Sequence, residues 1–331
     1  MLKKAEQLST DKKVLEPYLK GQGWLNENEK IIDVEIPGAG NMNFTLRVKT
    51  GERSFIIKQS RAYVEKYPKV AAPAERALRE AEFYALIASY DDLKKQMPRL
   101  IGVDSNSHVL NLEDLGDGID YSFLYQKDKN LEEAELERII TFVATLHNNI
   151  NTSTTKQRLP NREMRKLNHE HIFIYPYVKE NGLNLDDILP GLRGVGEKFK
   201  EDKALQGIVQ KLGNRYLSDG TTLLHGDYFP GSWLKTNEGI KIIDPEFSFF
   251  GDPEFEIGVT LAHLKMANQS QNLIDKALKM YTNLAPLDEH LCMKFIAVEV
   301  LRRILGLAQL PLTINLEQRK VLLEEAREIL V

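Results

Sequence analysis

The sequence predicts an α+β chain of two lobes, a small β-rich lobe over residues 1–115 and a larger, mainly α-helical lobe over residues 116–331. Three observations carry this. Short runs of β-branched and aromatic residues, parted by Gly and Pro turns, crowd into the first third, as in Ile31–Ile36, Phe44–Val48 and Ser54–Gln59. From Glu132 onward apolar residues recur at helical spacing. Between the two patterns, the strand-like run Val109–Leu115 ends in Gly116-Asp117-Gly118, a composition that suits a hinge.

Composition narrows the class. A chain of 331 residues with 42% hydrophobic content is long enough for two cores. A net charge of −4 argues against nucleic acid or an anionic membrane as the main partner, since both call for a basic surface. The single cysteine, Cys292, excludes an internal disulfide framework and reads as a helix-packing residue. The first residues, MLKKAEQLSTDKK, hold no apolar signal core, and no run reaches the length of a membrane span, so a cytoplasmic location is expected.

In chain order, Thr10 or Asp11 caps a short helix that runs toward Leu19 and ends at Gly21 and Gly23. The strands Ile31–Ile36 and Phe44–Val48 flank Pro37-Gly38-Ala39-Gly40-Asn41-Met42-Asn43. A hairpin so rich in glycine lets backbone N–H groups approach a phosphate, because glycine imposes no Cβ. The next strand, Ser54–Gln59, places Lys58 after an apolar run. A loop is expected between Tyr63 and Glu75, then a helix from about Ala74 to Ser89, then two short strands between Arg99 and Leu115.

The second lobe is organised around Leu223–Gly258. Asp227 and the pair Asp244/Glu246 are separated by a predicted β-hairpin that turns at residues 236–239, so its two ends return to one place. Pro245 biases Asp244 toward an extended backbone, and residues two apart on a strand share a face, so Asp244 and Glu246 are expected to project side by side. Paired carboxylates require a cation, and magnesium fits because it accepts one or two carboxylates with water and phosphate oxygens. Asp227 would then orient or deprotonate a hydroxyl. His147 ends a predicted helix, Glu132–Asn148, and reads as structural. His169 and His171 precede a strand-like run, and no cysteine or third histidine nearby completes a metal set. In the last helices, Arg302 and Arg303 sit amid apolar residues. They either face a cavity or form a surface Glu299–Arg303 pair at i,i+4 spacing.

At His225-Gly226-Asp227 and Asp244-Pro245-Glu246 the chain resembles the aminoglycoside phosphotransferase and choline kinase superfamily, whose fold is protein-kinase-like. That signature places Asn where this chain has Ser232, and protein kinases have Asp-Phe-Gly where it has Asp-Pro-Glu. In both departures it is similar to the 5-methylthioribose kinase branch, as it is in Gly38-x-Gly40-Asn41-x-Asn43, in Lys58-Gln59 and in Arg302-Arg303-x-x-Gly306. The resemblance implies ATP and Mg2+ as cofactors. It implies Asp227 as catalytic residue, and Asp244, Glu246 and Ser232 toward the metal, with Glu246 supplying the ligand that Asn would have given. Toward the nucleotide it implies Gly38, Gly40, Asn41, Asn43 and Lys58, with Glu80 as the lysine's partner and Glu82 as the alternative, while Glu113, Asp114 and Leu115 meet adenine through their backbone. Arg302 or Arg303, with Asp227, would meet the acceptor. The loop between Tyr63 and Glu75 lacks the tryptophan found near the substrate in that branch, and the chain between Asp252 and Arg302 is shorter than theirs.

The expected activity is ATP-dependent phosphoryl transfer to a hydroxyl of a small sugar-like metabolite, with 5-methylthioribose as first choice. The alternatives are a choline- or aminoglycoside-type phosphotransferase and a nucleotide-binding pseudokinase. The expected partner is a small-molecule acceptor, with no nucleic acid and no membrane, and a homodimer is left open.

Overall fold

The computed structural model describes residues 7–38 and 42–331. The chain divides into two compact units, one of Met1–Gly118 with Lys241–Phe247, the other of Ile119–Ile240 with Ser248–Val331. A distant heptapeptide therefore completes the first unit.

In the first unit, the Asp11 side chain accepts the Lys13 N–H and starts α1 (Lys12–Gly21), which buries Leu15, Tyr18 and Leu19. The strands β1 (Ile31–Glu35), β2 (Phe44–Thr50) and β3 (Ser54–Gln59) follow. A short hairpin comes next, β4 (Tyr63–Val64) and β5 (Tyr67–Ala71), where the sequence reading expected a loop. Its alternation was hidden by Lys and Glu on a largely exposed ribbon. After α2 (Arg76–Ile87) and α3 (Asp91–Lys94), β6 (Leu100–Asp104) and β7 (Val109–Glu113) complete an antiparallel sheet of order β1-β2-β3-β7-β6. Leu46, Val48, Phe55, Ile57 and Val109 pack in one apolar core with Leu15, Leu19 and Trp24. Strand alternation turns Lys58 to the opposite face from Ile57.

In the second unit, β8 (Ile119–Asp120) leads through a 3-10 turn, Tyr121–Tyr125, to α4 (Glu133–Asn149). Next comes α5 (Arg162–His169), continued by a π-turn over Glu170–Ile174 and a 3-10 turn over Tyr175–Tyr177. The strand-like reading of this stretch is corrected. Its apolar residues are spaced for a strand, but Ile172 and Phe173 are buried on a helical path, with the Phe173 ring 5.4 Å from that of Tyr216. The helices α6 (Leu192–Glu201) and α7 (Lys203–Leu217) precede β9 (Thr222–Leu224), β10 (Trp233–Thr236), β11 (Gly239–Ile242) and β12 (Phe249–Gly251). β9 pairs with β12 and β10 with β8, while β10 and β11 form the predicted hairpin around Asn237-Glu238.

The chain ends in α8 (Pro253–Met266), α9 (Gln271–Leu284), α10 (Glu289–Leu305) and α11 (Leu316–Leu330). α8 is buried on nearly every side, its apolar residues spread all round and its Glu254, Glu256, Thr260 and His263 buried with them. It packs against α10 at Gly258, where an added Cβ would lie 2.7 Å from Phe295 Cβ and 3.1 Å from the Cys292 carbonyl oxygen. Among the described residues, no helix is long and apolar enough to cross a membrane.

Candidate functional site

The site residues fall into two groups, one in each unit. In the first, Lys58 Nζ donates to Glu80 Oε2 and to Asp244 Oδ1, each at 2.6 Å. Burial by itself would lower the lysine, but the Asp244 and Glu80 carboxylates outweigh it and hold the ammonium well above the usual lysine value. Glu80 is wholly buried, and burial raises its carboxyl to about 7 against the pull of Lys58. Glu80, not Glu82, is the lysine's partner. Glu82 pairs instead with Arg79.

Asp244 and Glu246 do not project side by side. Asp244 takes a left-handed backbone, φ +63°, and Pro245–Phe247 form a 3-10 turn. Asp is among the few residues that tolerate this conformation, and the Lys58 ion pair outweighs the extended bias imposed by Pro245. The Asp244 side chain is 51% exposed, whereas Glu246 is buried, its Oε2 accepting from Asn43 Nδ2 at 2.9 Å and pairing with Arg76 Nε at 3.2 Å.

Gly38 has φ +68° and open space where a Cβ would stand. Gly40 and Asn41 lie outside the described residues. Glu113 is engaged by Arg99, and Asp114 by Arg47 Nε at 3.0 Å and the Gly116 N–H. Leu115 is half-buried beside them. These ion pairs hold the strand end with its two acidic side chains already occupied.

In the second unit, Asp227 stands on a loop fixed from several sides. Glu256 of α8 accepts the Gly226 N–H at 2.7 Å and the His225 N–H at 3.1 Å. A carboxylate that binds two successive amides sets the turn, and Gly226, φ +85°, supplies the backbone freedom it needs. His147 Nε2 lies 2.9 Å from Glu256 Oε2, and its Nδ1 lies 2.7 Å from the Tyr281 hydroxyl, which makes it a structural histidine. Thr260 Oγ1 donates to the Tyr228 carbonyl, and the Tyr228 hydroxyl donates to the Ile139 carbonyl. Ser232 Oγ donates to the Asp227 carbonyl at 2.6 Å, so this hydroxyl closes the loop on itself.

Arg302 and Arg303 are both buried, and so is Glu299. The i,i+4 pair exists, but it lies in the interior, not on the surface. Arg302 Nη1 donates to both Glu299 oxygens at 3.0–3.1 Å and Nη2 to Asn168 Oδ1, while Arg303 Nε donates to Glu299 Oε1 at 2.6 Å. Despite burial, the two guanidinium groups hold the Glu299 carboxyl far below the usual carboxylate range. Arg303 also covers the Phe229 ring at 5.0 Å, two residues from Asp227, and the charge of Asp227 acts on both arginines. His263 of α8 closes the cluster from behind, with Nε2 3.0 Å from Glu299 Oε1 and Nδ1 on the Tyr125 hydroxyl. His169 and His171 pack instead on Phe173 and Tyr175.

Sequence reasoning missed Glu256, His263 and Arg76. For the first two a signal existed: polar side chains in the otherwise apolar α8 must be paired inside the protein. Arg76 looked like one member of a charged helix face, and nothing local marks it as buried.

The model of the phosphotransferase enzyme family matches residues 33–290. A methylthioribose kinase from Bacillus cereus (strain B4264) is 27% identical over 266 residues, 75% of this chain, and the match spans only 63% of that protein's length. Among solved structures, a choline kinase from Streptococcus pneumoniae superposes with a TM-score of 0.54 at 15% identity, over 96% of this chain and 98% of its own. A spectinomycin phosphotransferase in complex with ADP and spectinomycin does so with a TM-score of 0.53 at 14% identity, over 98% of each chain. These likenesses show an α+β, protein-kinase-like fold. As the family match covers most of the sequence, the chain belongs to the phosphotransferase enzyme family.

Proposed function

We propose that this protein transfers the γ-phosphoryl group of ATP to a hydroxyl of a small, uncharged, sugar-like metabolite, with 5-methylthioribose as first candidate. The observation that carries the reading is the Lys58 ammonium held 2.6 Å from both Glu80 and Asp244, a cation placed to meet phosphate beside a carboxylate placed to meet a metal. The sequence relatives named methylthioribose kinase support the choice of a sugar.

The residues present fit the cofactors. Among the described residues no three His, Cys, Asp or Glu side chains converge on a metal-sized site. The half-exposed Asp244 carboxylate suits magnesium, which is content with one or two carboxylates and takes its other ligands from water and phosphate. Bound Mg2+ would neutralise charge on the phosphates. Lys58 pairs with the phosphates, the glycine-bearing hairpin at Gly38 offers backbone amides, and Asp227 accepts the proton of the acceptor hydroxyl as it attacks.

Charge selects the acceptor class. Arg302 and Arg303 against Glu299, with His263 neutral, leave one net positive charge behind Asp227. That charge offsets the Asp227 carboxylate, so the site holds no surplus of acid to attract an amine, and guanidinium groups suit the oxygens of a polyol.

The test is ADP release from Mg·ATP with methylthioribose, related pentoses, choline and an aminoglycoside as acceptors. We expect turnover with the sugars only. Asp227→Asn should lower it by about 10²–10⁴-fold, because an amide cannot take the proton, while the ADP-induced rise in Tm persists. Unchanged turnover in that variant removes Asp227 from its role, and turnover with choline or the aminoglycoside alone overturns the sugar.

A further inference from the structure

Arg76 is wholly buried, and its guanidinium ties together segments far apart in sequence. Nη2 donates to the Met42 carbonyl at 2.6 Å and to that of Tyr63 at 3.3 Å. Nη1 donates to the carbonyls of Arg61 and Pro73, and Nε to Asn43 Oδ1 at 2.9 Å. The same Nε pairs with Glu246, whose Oε2 also accepts from Asn43 Nδ2. Arg76, Asn43 and Glu246 thus form a closed triangle joining the end of the glycine-bearing hairpin, the start of α2 and the Asp-Pro-Glu turn. A buried guanidinium cannot lose its charge, and of the carboxylates that balance it, Glu246, Glu65 and Glu80, Glu246 acts most strongly. With Oε2 accepting two donors and the residue buried, little of the Glu246 carboxylate is left for a cation.

We propose that Glu246 is a positioning residue that tethers the glycine-bearing hairpin through Asn43 and Arg76, and that Asp244 alone meets the metal. The second half rests on the kinase reading above; the tether does not. Its consequence is that the Asn43 end of the hairpin is fixed to the turn that carries Asp244 whether or not a metal is bound.

The experiment compares Glu246→Gln, Asn43→Ala and the double variant with the wild-type chain. Asn43→Ala leaves the Arg76–Glu246 ion pair intact and so guards against loss of the fold. If the tether acts, the Kd for ADP measured in EDTA rises about fivefold in Asn43→Ala, the worth of one hydrogen bond, and at least as much in Glu246→Gln, which also loses the charge paired with Arg76. The double variant binds no more weakly than the weaker-binding single, because both open the same triangle. The magnesium concentration for half-maximal rate stays within about twofold of wild type. A tenfold rise in that concentration in Glu246→Gln, with metal-free ADP affinity unchanged, would show that Glu246 is a metal ligand and overturn the proposal. Should the wild-type chain bind no ADP, the kinase reading fails by itself. Amide exchange at Met42–Phe44 then decides the tether: faster exchange in both single variants supports it, and unchanged exchange rejects it.

Discussion

His263 is buried on every side, with Tyr125, Glu299, Arg302, Arg303 and Phe229 around it. Burial lowers its pKa from 6.5 to about 4 in spite of the Glu299 carboxylate, since both arginines oppose a further positive charge. The folded state therefore holds a neutral imidazole at pH 7. A folded pKa below the unfolded value means that the contribution is complete above pH 6.5 and is lost as pH falls from 6.5 to 4, by up to about 3 kcal/mol. Glu299, also lowered, acts in the same direction at lower pH, whereas Glu80, raised to about 7, opposes it between 4.5 and 7. Comparison with a variant isolates the histidine. In His263→Gln the fall in Tm between about pH 6.5 and 5 should be shallower than in the wild-type chain, and equal slopes would refute the assignment.

At the scale of elements, α8 carries the site's support. It supplies Glu256 to the His225-Gly226 amides, Thr260 to Tyr228 and His263 to Glu299, and its apolar remainder locks it against α10. Gly258 sets that contact. Alanine normally improves a helix by about 1 kcal/mol over glycine, but here its Cβ would meet Phe295 and the Cys292 carbonyl. Gly258→Ala should cost about 1–3 kcal/mol by overpacking, read as a lower Tm in thermal denaturation. β3 and α2 were legible in advance because alternation and helical spacing are local. The π-turn over Glu170–Ile174 was not, because its residues suit a strand as well, and burial against Tyr216 decided between them.

For the molecule as a whole, the first unit is not a contiguous piece of chain. Lys241–Phe247 returns to it, with the Ile242 N–H on the Gln96 carbonyl and Asp244 and Glu246 on Lys58 and Arg76. A fragment ending at Gly118 would leave two buried cations short of partners, and removing one partner of a buried pair costs about 3–5 kcal/mol. Such a fragment should lack a cooperative thermal transition and near-UV circular dichroism. A fully cooperative fragment would show that the returning segment is dispensable.

The sequence by itself determined what depends on spacing and side-chain chemistry. The strands around Lys58, the helices beyond Glu132 and the hairpin between Asp227 and Asp244 follow from the strand and helix periods and from turn residues, while the choice of Glu80 over Glu82 as the lysine's partner waited for the structure. Only the tertiary structure decided which charges are buried against which. The left-handed turn at Asp244, the capture of Glu246 by Asn43 and Arg76, the clamp of Glu256 and the interior Glu299–arginine cluster join residues dozens to hundreds of positions apart, or bury a pair that local spacing would place on a surface. Local periodicity shows which side of an element a residue occupies. It does not show what the rest of the chain brings to that side, and a buried charge is settled by that partner.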